Sequence, residues 1–424
     1  MKSIETKKTF ILTLLLSAVL FWIGLGVGDN MSDFRFWINS TWSTVKLEWV
    51  FIVVYIGLNK KFPSFSDLWK NHKFITITSI LWIISISLSY FTSTYYSWQN
   101  PLAAMRYIET VSHFFFFLFL LDFFNQYQPS YRLLFSSIVF STLIVMGYFI
   151  YIHFAFPNLE AEEHVFSMRS DKLLLNTHLH RVGYQVEATI AFATALLFTK
   201  KWKFFAVILI GIFFLFLLWL GGRAATLGTF LIFIILFWHF RKQISIQRVS
   251  IFAVAFFLLF WLAIYFQWIN PEYFTHAIHK TLHPGTVEHF LSGRIRVWNL
   301  VLKELNNNWL LGTGPQSYFF YFDRKHEIIH AHNFLLQFLG EWGIIGTTLF
   351  TVLFYRAIIF GIQNLTQQEK YLLSYRLASL LLIISLTITG FFSGIYFFQQ
   401  SESYLAFAFA VLLTQKYPQY LLTQ

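Results

Sequence analysis

The chain contains no cysteine and few charged residues. Its 424 residues include 12% Asp, Glu, Lys and Arg, whereas soluble domains carry about 25%. The lack of cysteine excludes disulfides, a thiolate nucleophile and Cys-ligated metal sites. The low charge fraction, together with 57% hydrophobic residues and a mean hydropathy of +0.57, excludes an ordinary soluble domain.

Hydrophobic runs of about 20 residues, the length that crosses a bilayer, recur along the whole chain. They predict an all-α polytopic membrane protein with about twelve transmembrane helices; the alternating pattern of a β-barrel is missing. The predicted spans are 9–27, 45–59, 74–91, 104–124, 131–152, 185–199, 204–220, 224–240, 250–268, 332–361, 377–394 and 398–415. This count places both termini in the cytoplasm.

The formal charge of +11 is distributed unevenly. Compact basic clusters fall on one predicted side, as cytoplasmic loops require: Lys7/Lys8, Lys60/Lys61, Lys200/Lys201/Lys203 and Arg241/Lys242. A second set, dominated by arginine, lies on the outer side, where that bias does not explain it: Arg35, Arg169, Arg181, Arg223, Arg294, Arg296 and Arg324. Arginine suits bidentate phosphate binding, so the outer set indicates an anionic substrate.

The longest polar segment, residues 270–331, is predicted to be a large periplasmic loop between spans 9 and 10. A connection of this length indicates a functional role. Within it, residues 297–305 have helical apolar spacing and are expected to lie against the membrane surface. No repeat or second soluble domain is evident, so residues 1–424 are interpreted as one integral membrane domain.

The fourth span carries three ionisable residues: Arg106, Glu109 and His113. Spacings of three and four place them near one helix face. Ionisable groups within a span pair with one another or line a cavity. A structural ion pair is the favoured interpretation, and a functional cavity remains the alternative.

The stretch from His330 to Gly346 begins with two histidines and an asparagine and continues as an apolar helix without a break. Imidazole exchanges a proton near neutral pH, so His332 is a candidate catalytic base. The alternative is an interfacial or capping imidazole. Asn333 could orient His332 or bind a sugar hydroxyl. Gly343 and Gly346 are predicted to be points of close helix packing.

A metal site at His330 and His332 is not expected. No acidic or cysteine residue nearby completes a familiar ligand spacing. The sequence therefore predicts no metal and no cofactor.

Four outer arginines are candidates for one anion site beside His332: Arg181, Arg223, Arg294 and Arg296. Each lies at an outer helix end or in the large loop, so they could converge. Phosphate or pyrophosphate is the most plausible ligand, and a lipid-headgroup contact is the alternative for each one. Arg223 begins a helix after Gly221 and Gly222, where the backbone and free N–H groups favour an anion.

His332-Asn333 followed by Gly343 and Gly346 resembles the histidine motif of the bacterial O-antigen ligase family. Other segments extend the resemblance from Arg181 to the C-terminus: LSGRIRVWNLVLKE with Gly293-Arg294-Ile295, NNWLLGTGPQSY, GGRAATLG with Arg223, and HRVGYQ with Arg181. Arg296 has no place in this pattern. The same superfamily includes O-antigen polymerases and protein O-oligosaccharyltransferases.

The resemblance implies metal-independent, inverting transfer of a glycan from undecaprenyl pyrophosphate to lipid A–core oligosaccharide at the periplasmic face of the bacterial inner membrane. Membrane lipids are expected partners and nucleic acid is not. His332 would act as general base. Arg223, Arg294 and Arg181 would hold the pyrophosphate and neutralise its charge, with Arg296 a further candidate and Asn333 and His330 orienting the acceptor or the base.

Three alternatives remain open. A polymerase that joins repeat units and a protein O-oligosaccharyltransferase share the chemistry. A twelve-span secondary transporter belongs to a different class and predicts repeated halves, broken helices and ionisable groups at the membrane midplane.

Overall fold

A computed structural model describes residues 2–25, 44–60, 62–63, 65–93, 101–155, 179–198, 201–240, 261, 265, 294–317, 330–365 and 370–414. These residues form helices, turns and short irregular segments, and no strand occurs among them. The α-helices are α1 (Lys2–Leu25), α2 (Thr44–Asn59), α3 (Phe65–Thr92), α4 (Pro101–Gln126), α5 (Tyr131–Ala155), α6 (Leu179–Ala193), α7 (Lys203–Trp219), α8 (Arg223–Phe240), α9 (Arg294–Asn308), α10 (Phe334–Leu365), α11 (Lys370–Gly390) and α12 (Gln399–Leu413). Short 3-10 helices cover Thr194–Phe198 and Ile395–Phe397.

Six of these helices are long and apolar enough to cross a membrane. They contain the segments Glu5–Leu25, Lys73–Thr92, Ala103–Gln126, Tyr131–Tyr151, Phe334–Gln363 and Leu372–Gly390. Three shorter apolar helices are Val182–Phe198, Lys203–Trp219 and Arg223–Trp238. The all-helical membrane architecture is thereby confirmed, while the count of twelve spans stays a prediction.

The predicted ninth span and most of the large loop lie outside the described residues. Of residues 250–268, only Trp261 and Tyr265 are described; both are helical and their rings stack at 5.4 Å. Within 270–331, the helix predicted over 297–305 is present as part of α9. Its buried Val297 and Val301 pack beside Ala331 and Leu336 at the start of α10, so α9 contacts the chain next to His332.

Helix ends from distant parts of the chain meet at one end of the bundle. Gln185 near the start of α6 donates to the carbonyl of Gly24 at the end of α1, and Gln400 in α12 donates to the carbonyl of Ile23 at 2.8 Å. We call this the site end because α10 also begins here. At the opposite end of the bundle, the Tyr127 hydroxyl donates a hydrogen bond to Oδ1 of Asn59.

The tenth helix is broken, which corrects the prediction of an uninterrupted span over 332–361. Gly343 has a φ of 64° inside α10, far from helical values. Backbone groups that the break releases bond to the loop before α10. The N–H groups of Ile344 and Ile345 donate to the carbonyls of Trp309 and Leu310 at 2.8 and 3.2 Å.

The backbone groups on the N-terminal side of the break are satisfied in the same way. The N–H groups of Thr313 and Gly314 donate to the carbonyls of Gly340 and Glu341 at 2.8 and 3.0 Å. Because lipid offers no hydrogen-bond partner, a broken span requires such a substitute. We call residues 309–314 the splice segment; it supplies the missing bonds of α10.

Gly312 and Gly343 explain why the splice segment fits. Gly312 has a φ of 74°, and a Cβ on either glycine would collide with backbone atoms of the other's segment. The close packing predicted for Gly343 is therefore present, but it joins a loop to a broken helix. Gly346, in contrast, lies within regular helix against Trp342 and Ser85.

Replacing Gly343 by alanine is expected to destabilise the protein by at least about 1–3 kcal/mol, the cost of holding an L-residue in a backbone region that only glycine readily adopts. The collision with the splice segment adds to that cost. Thermal unfolding in detergent measures the effect. Gly211→Ala in α7 is the matched control, since a Cβ there meets nothing within 4 Å. Equal unfolding temperatures for the two variants would contradict the assigned role of Gly343.

Candidate active site

The two histidines of the HAHN stretch form a compact turn just before α10. His332 has a φ of 53°, in the left-handed region, which histidine adopts more readily than most residues. Its backbone N–H donates to Nδ1 of His330 at 3.2 Å, and the two rings lie 4.0 Å apart at 61°. A neutral His330 whose Nδ1 accepts this bond carries its proton on Nε2.

Asn333 is the N-cap of α10. Its Oδ1 accepts from the N–H of Leu336 at 3.1 Å, which satisfies a free donor of the first helical turn. Its Nδ2 donates to the carbonyl of Phe391, just after α11, at 3.2 Å. Both ends of the amide are therefore engaged within the protein, which supports an orienting role and leaves less capacity for a sugar hydroxyl.

Asn333→Ala is expected to destabilise α10 by about 1 kcal/mol through loss of the cap, with a parallel fall in activity because the helix starts beside His332. Asn333→Asp keeps the capping oxygen but loses the donor to Phe391. Unfolding temperatures and transfer rates of both variants separate the two bonds. A stable, fully active alanine variant would show that neither bond orients the turn.

Arg294 is the first residue of α9, and α9 lies against the histidine turn. Trp298 donates through Nε1 to the carbonyl of Ala331 at 2.9 Å. That bond ties the first turns of α9 to the residue before His332. Arg294 is thereby held near the turn, and its side chain is partly buried.

Arg294 and Arg223 lie within electrostatic reach of each other. Burial lowers the pKa of Arg294, the nearby charge of Arg223 lowers it further, and Tyr184 raises it. Arginine keeps its charge at neutral pH because its ordinary pKa exceeds about 12. Two partly buried guanidinium groups within this range repel each other, and an anion bound near both would relieve that repulsion.

Arg223 begins α8 directly after a glycine turn, in which Gly221 has a φ of 67°. Arg181 lies in the first turn of α6, and its side chain is outside the described part of the structure. Tyr184, one turn further along α6, is close enough to Arg294 to raise its pKa. The backbone of Arg181 therefore lies one helical turn from a residue that interacts with Arg294.

Arg296 is not brought to the same position as Arg294. It is exposed, and a spacing of two residues places it on a different face of α9. Among the predicted arginines with described side chains, Arg223 and Arg294 lie within electrostatic range of each other.

Residues between α11 and α12 pack against the histidine turn. We call residues 391–398, between α11 and α12, the platform segment. The ring of Phe398 lies 5.9 Å from that of His330 and 5.8 Å from that of Tyr184. A Cβ on Gly394 would collide with the ring of His330. These contacts connect the histidines to the helix that carries Tyr184 and Arg181.

Among the described residues, no group of three or more His, Asp or Glu side chains could hold a metal ion. The turn itself offers two imidazoles. The prediction of metal-independent chemistry is untested by this arrangement and stays a prediction.

Residues 204–351 match the model of a protein family described as O-Antigen ligase. Over these residues the chain is similar to the O-antigen ligase family. The matched region contains Arg223, Arg294, His330, His332 and Asn333. No curated protein sequence matches the chain.

The O-antigen ligase match ends within α10, so several residues around the site lie outside it. Tyr184 and Phe398 were not identified from the sequence, because an aromatic residue in an apolar chain gives no distinctive signal.

Glu187 in α6 is fully buried, and its Oε1 lies 2.8 Å from the Thr389 hydroxyl. A single acidic residue within an apolar run indicates a buried polar contact between helices. Glu187 in the segment QVEATIAF is such a residue.

Proposed function

We propose that the protein transfers an O-antigen polysaccharide from undecaprenyl pyrophosphate to a sugar hydroxyl of lipid A–core oligosaccharide. The reaction takes place at the periplasmic face of the bacterial inner membrane, without a metal and with inversion at the anomeric carbon. The membrane-spanning helices and the O-antigen ligase match support the general class. The donor, acceptor and stereochemistry are what the family resemblance implies.

The observation that carries the proposal is the arginine pair beside the histidine turn. Arg223 and Arg294 interact electrostatically, and α9, which begins with Arg294, is bonded to the residue preceding His332. A pyrophosphate carries negative charge that would balance the two guanidinium groups, and the imidazole of His332 is the kind of group that deprotonates a hydroxyl nucleophile.

In the proposed reaction, His332 removes the proton from the acceptor hydroxyl as its oxygen attacks the anomeric carbon. The bond between that carbon and the pyrophosphate oxygen breaks, and the lipid pyrophosphate leaves. Arg223 and Arg294 stabilise the negative charge that develops on the leaving group. The imidazolium then releases its proton to the departing pyrophosphate or to water, which restores the base. Arg181 and Arg296 are further candidates for phosphate contacts.

One assay with three acceptors tests the reaction. Purified protein in lipid nanodiscs receives a pyrophosphate-linked glycan with lipid A–core, with a second donor molecule, or with an acceptor protein, all in the presence of a chelator. Transfer to lipid A–core supports the ligase. Chain extension indicates a polymerase, and protein glycosylation an oligosaccharyltransferase. Folded protein without any transfer contradicts the enzyme.

Two features bear on the secondary transporter alternative: α10 is a broken span, and a buried ionisable cluster surrounds Arg106. The charges of that cluster pair with one another within the protein. The carbonyls of Gly340 and Glu341 and the N–H groups of Ile344 and Ile345 bond to the splice segment. In a transporter such freed groups face a substrate or an ion. The break is therefore better explained as a fixed joint between the loop and α10.

A further inference from the structure

Arg106 in α4 is a buried arginine that the proposed reaction does not use. Its side chain is 2% exposed. Nη2 donates to the carbonyl of Tyr396 in the platform segment. The same guanidinium pairs with Glu402 in α12, with Nη2–Oε1 at 2.9 Å and Nη1–Oε2 at 3.2 Å. Arg106 thus joins α4 to both the platform segment and α12.

The ion pair predicted within the fourth span is present, but the shorter contacts of Arg106 are those with Glu402 in α12. Nη1 of Arg106 lies 3.5 Å from Glu109, further than from Glu402. Gln399 donates to Glu109, and His113 lies 3.1 Å from Glu402 and 2.8 Å from Glu48. Buried charges persist only when they are paired, so this cluster holds the start of α12 firmly against α4.

The platform segment transmits this anchoring to the histidine turn. Gly394 lies against the ring of His330, and Asn333 donates to the carbonyl of Phe391. The ring of Phe334, which begins α10, lies 4.8 Å from Phe391 and 5.1 Å from Tyr396. Both ends of the segment and its centre therefore contact residues next to His332.

The platform segment has little regular structure of its own. It consists of turns and the 3-10 helix Ile395–Phe397 between α11 and α12. Within it, the N–H of Phe398 donates to the carbonyl of Ile395 at 3.3 Å. A segment with so few local bonds depends on tertiary contacts for its position, and Arg106 provides one at Tyr396.

We propose that Arg106 is a positioning residue for His332 and acts through the platform segment; this rests on the proposed role of His332. Without the bond to Tyr396, Gly394 no longer confines the ring of His330. His330 then no longer presents Nδ1 to the N–H of His332, which loses the bond that supports its left-handed turn. The base is displaced while the arginine pair keeps its place.

Arg106→Gln is expected to lower kcat about 10- to 100-fold, since small displacements of reacting groups have effects of that size, while the KM for the donor changes less than about threefold. The matched control is Arg376→Gln. Arg376 in α11 is equally buried and also donates to a backbone carbonyl, that of Thr414 after α12. The control is expected to lose comparable stability but to keep kcat.

Two further variants separate position from stability. Arg106→Lys keeps the charge without the forked geometry and is expected to fold with an intermediate kcat. Arg106→Gln combined with Glu402→Gln removes the uncompensated carboxylate, so the unfolding temperature recovers. Because the donor to Tyr396 is still missing, kcat stays low. Full recovery of kcat in the double variant would overturn the positioning role.

A substrate-free measurement completes the test. The chain has no cysteine, so Ser393→Cys in the buried part of the platform segment is a unique reporter for a maleimide reagent. Arg106→Gln is expected to accelerate labelling at least about tenfold, as a locally opened site would, and Arg376→Gln is not. Unchanged labelling and kcat in folded Arg106 variants would overturn the proposal. Full activity of His332 variants would instead overturn the proposed function.

Discussion

Replacing His332 by glycine is expected to lower kcat by about 10²–10⁴-fold, the usual contribution of a general base, and to leave donor binding nearly unchanged. The imidazole is the group proposed to take the acceptor proton, whereas Arg223 and Arg294 are the residues proposed to hold the charge of the donor. Single-turnover transfer to lipid A–core measures the rate, and equilibrium binding of the donor measures affinity.

Glycine is the informative replacement because His332 has a φ of 53°. Glycine adopts that conformation without strain and asparagine adopts it readily, so neither variant distorts the turn. Added imidazole is expected to restore part of the activity of His332→Gly, because the free base can enter the vacated space, and to have no effect on His332→Asn. Normal kcat in His332→Gly would eliminate the assigned role.

Replacing Arg223 or Arg294 by glutamine is expected to lower kcat/KM by about 10²–10³-fold each, as loss of one donor to a developing anion does. Both residues are proposed to contact one pyrophosphate, and each lies in the field of the other. The double variant should therefore lose less than the sum of the two effects in free energy. Inhibition by free pyrophosphate should weaken in parallel.

Lys303→Gln is the matched control for these variants. It removes one positive charge from the same helix, α9, at an exposed position. Its kcat/KM and its inhibition by pyrophosphate should stay within about twofold, because exposed charges act weakly. Arg296→Gln reports separately on the remaining candidate in α9. A loss at Lys303 equal to that at Arg294 would mean that general surface charge, not a defined site, attracts the donor.

Length and hydropathy were sufficient to locate most of the helices. The span predicted at 45–59 corresponds to α2 (Thr44–Asn59), and that at 104–124 lies within α4 (Pro101–Gln126). A membrane restricts the backbone to few solutions, so an apolar run determines its own conformation. The spacing of Arg106 and Glu109 likewise predicted their ion pair, because positions three apart share a helix face.

Tertiary features were not available from the sequence. The break at Gly343 depends on a splice segment about 30 residues earlier, and such long-range pairing has no periodic signal. The partner of Arg106 is Glu402, almost 300 residues away. The left-handed turn at His332 depends on where the imidazole of His330 lies. The motif glycines could be recognised, but the reason for glycine at 312 and 343 required the fold.

The joint between the splice segment and α10 has a consequence for biosynthesis. During insertion, residues 309–314 emerge before α10, and the two halves of α10 reach the bilayer with backbone groups that lack partners. Each such group in hydrocarbon costs several kcal/mol. We therefore expect α10 to become a stable span only after the loop has been translocated and has docked at Gly343. Assembly of the reactive centre and completion of the membrane domain would then be a single event.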